Sequence, residues 1–158
     1  MKKKISMLAA LCLVLGLSAC GPKESTADFH VQDAMDAMLA AAPIDDPLTL
    51  EEGDMLDFFG IKAEDMAEFA AVTCSNGTSA QEIVLVKAAD EDKAAQVETS
   101  LQTRLENRKS EAEGYMPEEL AIMEQCEVKR DGLYVSLIIS PEAEQLTGIY
   151  QEYLSGKR

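Results

Sequence analysis

The chain of 158 residues has no tryptophan, four tyrosines, four phenylalanines and one histidine, His30. Sugar sites stack their substrates on aromatic faces. A chain this poor in rings gives the acids Asp45, Asp46, Glu51, Glu52 and Asp54 little chance of forming the carboxylate pair of a glycosidase, and a solvated face with helix caps is the better reading of them. With one histidine and no Cys-x-x-Cys spacing, neither a zinc cage nor a thioredoxin-like redox pair is supported. A Gly-x-Ser-x-Gly elbow is also missing, and nothing near His30 suggests a nucleophile for it to activate. The acidic triplet Asp90-Glu91-Asp92 lacks the alternating oxygen ligands of a calcium loop and reads as a helix start. No catalytic, cofactor-binding or metal-ligating residue emerges.

Basic residues are scarce as well. Fourteen Lys and Arg face 29 Asp and Glu, a net charge of −15, which repels nucleic acid and anionic lipid surfaces. The longest apolar run, Ile5 to Leu17, falls short of the ~20 residues that span a bilayer.

That run is nevertheless informative. Lys2, Lys3 and Lys4 precede it, and Leu17-Ser18-Ala19-Cys20 ends it. A charged start, an apolar centre and small residues before a cysteine make a lipobox at the end of a secretory signal. Residues 1–19 are then a lipoprotein signal peptide, Cys20 the lipidated first residue of the mature chain, 20–27 a tether and 28–158 a single domain. The alternative is an ordinary signal peptide with Cys20 there by chance. Loss of the three lysines leaves 11 bases against 29 acids, a net charge of −18, so the lipid and not the charge holds such a protein at the membrane.

Along the domain, apolar positions at helical spacing from Asp28 to Ala42 predict a first helix, with Asp28 as its cap. Thr49 and Glu52 have capping-box spacing for a short second helix closed by Gly60. Met66 to Cys74 alternates as a strand, Asn76-Gly77 predicts a tight turn, and Gln81 to Lys87 returns as a strand covered on both faces. Asn76-Gly77-Thr78 also spells a glycosylation sequon, read here only as a turn. Asp90 to about Glu113 predicts a long helix buried along Ala94, Val97, Leu101 and Leu105. A short helical stretch follows Pro117. Cys126 to Arg130 and Leu133 to Ser140 predict a second hairpin turning at Asp131-Gly132, and a last helix is capped by Ser140 with Pro141 at its first position. The fold class is α+β, an antiparallel four-stranded sheet from two hairpins, packed with a long helix, a C-terminal helix and N-terminal helices.

The lipobox, Phe59-Gly60-Ile61, Ala80-Gln81-Glu82-Ile83, Asp90 before the long helix, Tyr115-Met116-Pro117-Glu118 and Gly132-Leu133-Tyr134-Val135 together resemble the domain of unknown function DUF4358 family of bacterial lipoproteins. The similarity runs from about Phe29 to the C-terminus, with Phe59 where the family would have Tyr. It implies a Gram-positive cell, an anchor in the outer leaflet of the cytoplasmic membrane, and no transferable activity.

The expectation for function is a membrane-anchored extracytoplasmic lipoprotein, a non-catalytic ligand-binding or protein-interaction module and not an enzyme. It needs no cofactor, and its partners are the membrane, through the lipid, and an extracytoplasmic protein or small ligand. A surface hydrolase with a carboxylate site is the alternative. Tyr115, Pro117 and Glu118 are the candidate recognition loop, since connections collect binding residues. The simpler reading of that loop, and the preferred one, has Tyr115 plugging the edge of the core and Pro117 starting a helix. Cys74 and Cys126 fall at the same end of the sheet if the long helix carries the chain back along it. A disulfide then forms if their strands are neighbours, and two buried thiols remain if they are not.

Overall fold

A computed structural model of the protein describes residues 26–158. The signal peptide, Cys20 and the tether as far as Ser25 lie outside the described residues.

The first helix, α1 (Val31–Ala41), starts two residues later than its apolar spacing suggests, with His30 and not Asp28 at its cap position. Asp28 is spent elsewhere. Its carboxylate binds Lys87 Nζ at 2.5 Å and accepts the Tyr134 hydroxyl at 3.1 Å. Asp46, with φ at 46°, turns the chain into β1 (Pro47–Thr49), an edge strand of three exposed residues that alternation could not reveal. The helix α2 (Glu52–Phe59) is capped two residues beyond the expected box. Asp54, in place of Glu52, accepts the Glu51 N–H at 2.7 Å. Gly60 ends it with φ at 68°, where a left-handed residue lets Ile61 N–H reach Met55 O at 3.1 Å.

A single 3-10 turn (Ala63–Asp65) leads into β2 (Met66–Cys74), then β3 (Glu82–Ala88), α3 (Glu91–Ala112) and α4 (Pro117–Met123). The second hairpin, β4 (Val128–Asp131) and β5 (Tyr134–Ile139), precedes α5 (Ala143–Leu154). Its two-residue turn is Gly132-Leu133, one residue later than expected, with Gly132 at φ 63° in the position a type II′ turn reserves for glycine. The first hairpin is looser than Asn76-Gly77 implied. Ser75 to Gln81 form a loop in which Asn76 Oδ1 accepts from Thr78 N and Thr78 Oγ1, and Cys74 N–H closes it on Gln81 O. Ser140 and Pro141 precede α5 as a turn, with Ser140 Oγ accepting from Glu142 N at 3.1 Å.

The fold is α+β with an antiparallel sheet, but of five strands and not four, in the order β1-β2-β3-β5-β4. It is the middle of three layers. Val84 and Val86 of β3, with Val135, Leu137 and Ile139 of β5, pack under α2, α3 and α4. Ile83, Leu85, Tyr134 and Ile138 face α1 and α5 on the other side. Central strands covered on both faces need apolar residues at successive positions, which is what Ile83-Val84-Leu85-Val86 supplies.

The expected stripe of α3 is buried throughout, and Asp90 caps the helix by accepting Lys93 N–H at 2.8 Å. The register puts Cys74, Glu82 and Ile139 at an upper end and Ala88, Tyr134 and Asp131 at a lower end. The described chain enters at the lower end, where Ala27 N–H bonds to Leu154 O at 2.9 Å and Phe29 stacks on Tyr134 at 4.6 Å.

Candidate site beside the β4 edge

Cys74 and Cys126 are both free, which corrects the disulfide. The geometry expected of the long helix holds, since both lie toward the upper end, but the strands are not neighbours. Two strands separate β2 from β4, the strand that Cys126 precedes, and a disulfide needs Cα atoms within about 7 Å. The thiols also belong to different layers. Cys74 joins the α1 and α5 core, its Sγ donating to Asn76 Oδ1, and Cys126 packs under α3 and α4, its Sγ donating to Ile122 O.

The candidate recognition loop divides. Pro117 does open α4 at its first turn. Tyr115 does not plug the core, being 88 % exposed, and it is Met116 that turns inward. The reason is Gly114, whose φ of 80° swings the chain after α3 so that consecutive side chains exchange places. Glu118 is exposed, whereas Glu119 binds back, accepting Ala80 N–H at 2.6 Å and fixing the loop to the first hairpin. His30 faces Glu68 at 3.4 Å, on the side of the sheet's lower end.

Sequence reasoning missed a cleft of about 430 Å³ between α5, the end of α4 and strands β4 and β5. Its floor is built by alternation: Ser136 and Ile138 of β5 and, opposite Ser136 in register, Lys129 of β4. Ser136 is only 3 % exposed, and its hydroxyl makes no hydrogen bond among the described residues. A hydroxyl that lines a cleft with no protein partner offers a donor and an acceptor to whatever enters the cleft. The clue was visible as one serine inside the otherwise apolar or aromatic run Tyr134 to Ile139. Lys129 Nζ is held at 3.1 Å by Glu127, the residue just before β4.

Cys126 lines the cleft, but burial pushes its thiol pKa up, the opposite of what activates a nucleophile. Among the described residues, the two carboxyls whose pKa is displaced lie elsewhere and are both lowered. A hydrogen bond from Lys87 does this for Asp28, and one from Lys93 for Asp65. Among the described residues no three His, Cys, Asp or Glu side chains gather as metal ligands, and no helix is long and apolar enough to cross a membrane.

No curated protein and no solved structure matches the chain. A family model, the domain of unknown function DUF4358, matches residues 40–140, from the end of α1 through β5 to the start of the α5 turn. That stretch holds the whole sheet and most of the cleft, and on it the chain belongs to the DUF4358 family.

Proposed function

We propose that the protein is a lipoprotein anchored through Cys20 on the extracytoplasmic side of the cell membrane, and that its domain is a non-catalytic module that binds a ligand or another protein. The observation that carries the second part is the β4 and β5 cleft. It combines an unspent Ser136 hydroxyl with apolar walls at Ile122 and Ile138, as binding sites do. Beside those groups stands a thiol raised by burial and no histidine, a poor setting for acyl transfer. The first part rests on the lipobox that ends at Cys20.

Two measurements test it. The N-terminal peptide of the mature protein carries a diacylglyceryl mass on Cys20, and Cys20→Ala leaves the protein unanchored; an unmodified peptide ends the anchor. A thermal-shift screen of peptides, sugars and wall fragments against the full chain finds ligands that are bound and recovered intact. Turnover of a ligand, abolished by one carboxylate substitution, would replace the module with a hydrolase.

A further inference from the structure

The loop between β2 and β3 is wider than a two-residue turn, and the side chain of Asn76 is folded into it. Asn76 Oδ1 accepts from Thr78 N–H at 2.9 Å, which carries the carboxamide forward over Gly77. Two more donors meet the same oxygen, Thr78 Oγ1 at 2.7 Å and Cys74 Sγ at 3.1 Å. Donors gathered on a carbonyl oxygen stabilise the negative charge that grows there when its carbon is attacked.

The nitrogen that can attack stands beside it. Gly77 has no side chain to shield its N–H, a Cβ built there would meet nothing within 4 Å, and that N–H makes no hydrogen bond among the described residues. A free amide nitrogen next to a polarised carboxamide, both held by one loop, is the pairing that ring closure needs.

The other end of the carboxamide has a structural task. Asn76 Nδ2 donates to Asp46 Oδ2 at 3.0 Å, and Ser75 N–H donates to Asp46 O at 3.0 Å. Among the described residues Asp46 alone of the non-glycines has a positive φ, 46°. Strained backbone of this kind persists only where its surroundings hold it. The two bonds thus keep Asp46 in the turn that delivers β1 to the edge of β2, where Pro47 pairs with Cys74.

We propose that Asn76 is a site of spontaneous deamidation that works as a one-way switch on the β1 edge. Solvent hydroxide takes the Gly77 N–H proton, and the nitrogen bonds to Asn76 Cγ. The Cγ–Nδ2 bond then breaks, and ammonia leaves with a proton from water, which regenerates hydroxide. The succinimide left behind takes up one water and opens to aspartate or isoaspartate. In sum an amide and a water become a carboxylate and ammonium, with no oxidant or reductant. The product carries an anion where Asn76 had a donor. It repels the Asp46 carboxylate, the strained turn loses a partner, and β1 parts from β2 more often.

The test incubates the full chain at neutral and mildly alkaline pH and maps its peptides by mass. The peptide with Asn76 gains the mass difference between a hydroxyl and an amino group, faster at the higher pH, and becomes a substrate for isoaspartyl methyltransferase. Asn107, inside α3 and followed by Arg108, stays intact as the internal control. Thr78→Val removes one donor from Oδ1 and slows the conversion by about fivefold. Asn76→Asp makes the product directly and speeds hydrogen exchange at the Ser75 amide by about fivefold, the effect of one close like-charge pair in water. The amides of α3 exchange as before, which shows the fold intact. Asn76 as durable as Asn107 overturns the site. An equal rate in Thr78→Val overturns the part played by the loop, and unchanged exchange at Ser75 in Asn76→Asp overturns the switch.

Discussion

Glu82 is fully buried near the upper end of β3, a position where an unpaired charge is untenable. Arg104 of α3 answers it with two bonds, Nε to Oε1 at 3.2 Å and Nη2 to Oε2 at 2.7 Å, while its guanidinium lies 5.2 Å from the Phe59 ring and 5.9 Å from that of Phe58. Phe59 therefore acts as a lid on an ion pair, and the hydroxyl of a tyrosine there is not needed for that role. Breaking a buried pair from one side leaves the other charge stranded. Arg104→Met is expected to cost about 3 kcal/mol in urea unfolding, and the double variant Arg104→Met with Glu82→Leu to recover most of it. A double variant no more stable than the single one would contradict this. Tyr150 offers the opposite case: it is 2 % exposed, and its hydroxyl has no partner among the described residues. Burial pushes its pKa far upward, so it stays neutral. Tyr150→Phe removes an unsatisfied polar group and keeps the ring that meets Phe29 edge-on. It should raise stability by about 1 kcal/mol, read as a higher urea midpoint at unchanged slope.

At the scale of elements, the 3-10 turn is fastened to α3 by Lys93 Nζ on Asp65 Oδ1 at 2.5 Å, and Ala89 N–H bonds to Asp65 O at 3.0 Å. The bond from Lys93 lowers the Asp65 pKa, and Asp65 raises that of Lys93. The carboxyl's contribution is therefore complete above its ordinary pKa of about 3.9 and lost as pH falls through the lower folded value. The ammonium's is complete below about 10.4 and lost as pH rises through its higher folded value. Between wild type and Asp65→Asn, the difference in stability should hold at neutral pH and shrink below about pH 4; a difference constant to pH 2 would exclude the linkage. These elements were largely legible because their signals are local: the stripe of α3, Asp90 as its cap, Gly60, the doubly buried β3. Their ends were less so. Asp28 has the chemistry of a cap but is drawn to Lys87 and Tyr134, 59 and 106 residues away, and no window around α1 contains that pull. β1 is too short to alternate. The cleft was hidden for the same reason as the failed disulfide: both depend on β5 and not β4 lying beside β3, a pairing between strands distant in sequence.

For the whole molecule, the strand order leaves Cys74 and Cys126 in separate layers, and both should react when the denatured, unreduced protein is titrated with a thiol reagent. Cys126→Ser, at a partly buried site, should lower stability by only about 1 kcal/mol, far short of the 2–5 kcal/mol expected for loss of a native disulfide. The pinning of Ala27 to Leu154 has a further result once Cys20 is taken as the anchor. It gives the molecule a height. Leu154 and the β4 and β5 turn become its foot, and the Ser75 to Gln81 loop its summit, with α3, 22 residues and about 33 Å long, standing roughly upright between them. A dye placed at Arg158 should then be strongly quenched by acceptors in the bilayer, and one placed at Asn76 only weakly. Equal quenching would mean that the domain lies on its side. An upright domain holds the cleft between β4 and α5 along its flank like a vertical slot, reachable by a neighbour anchored in the same membrane.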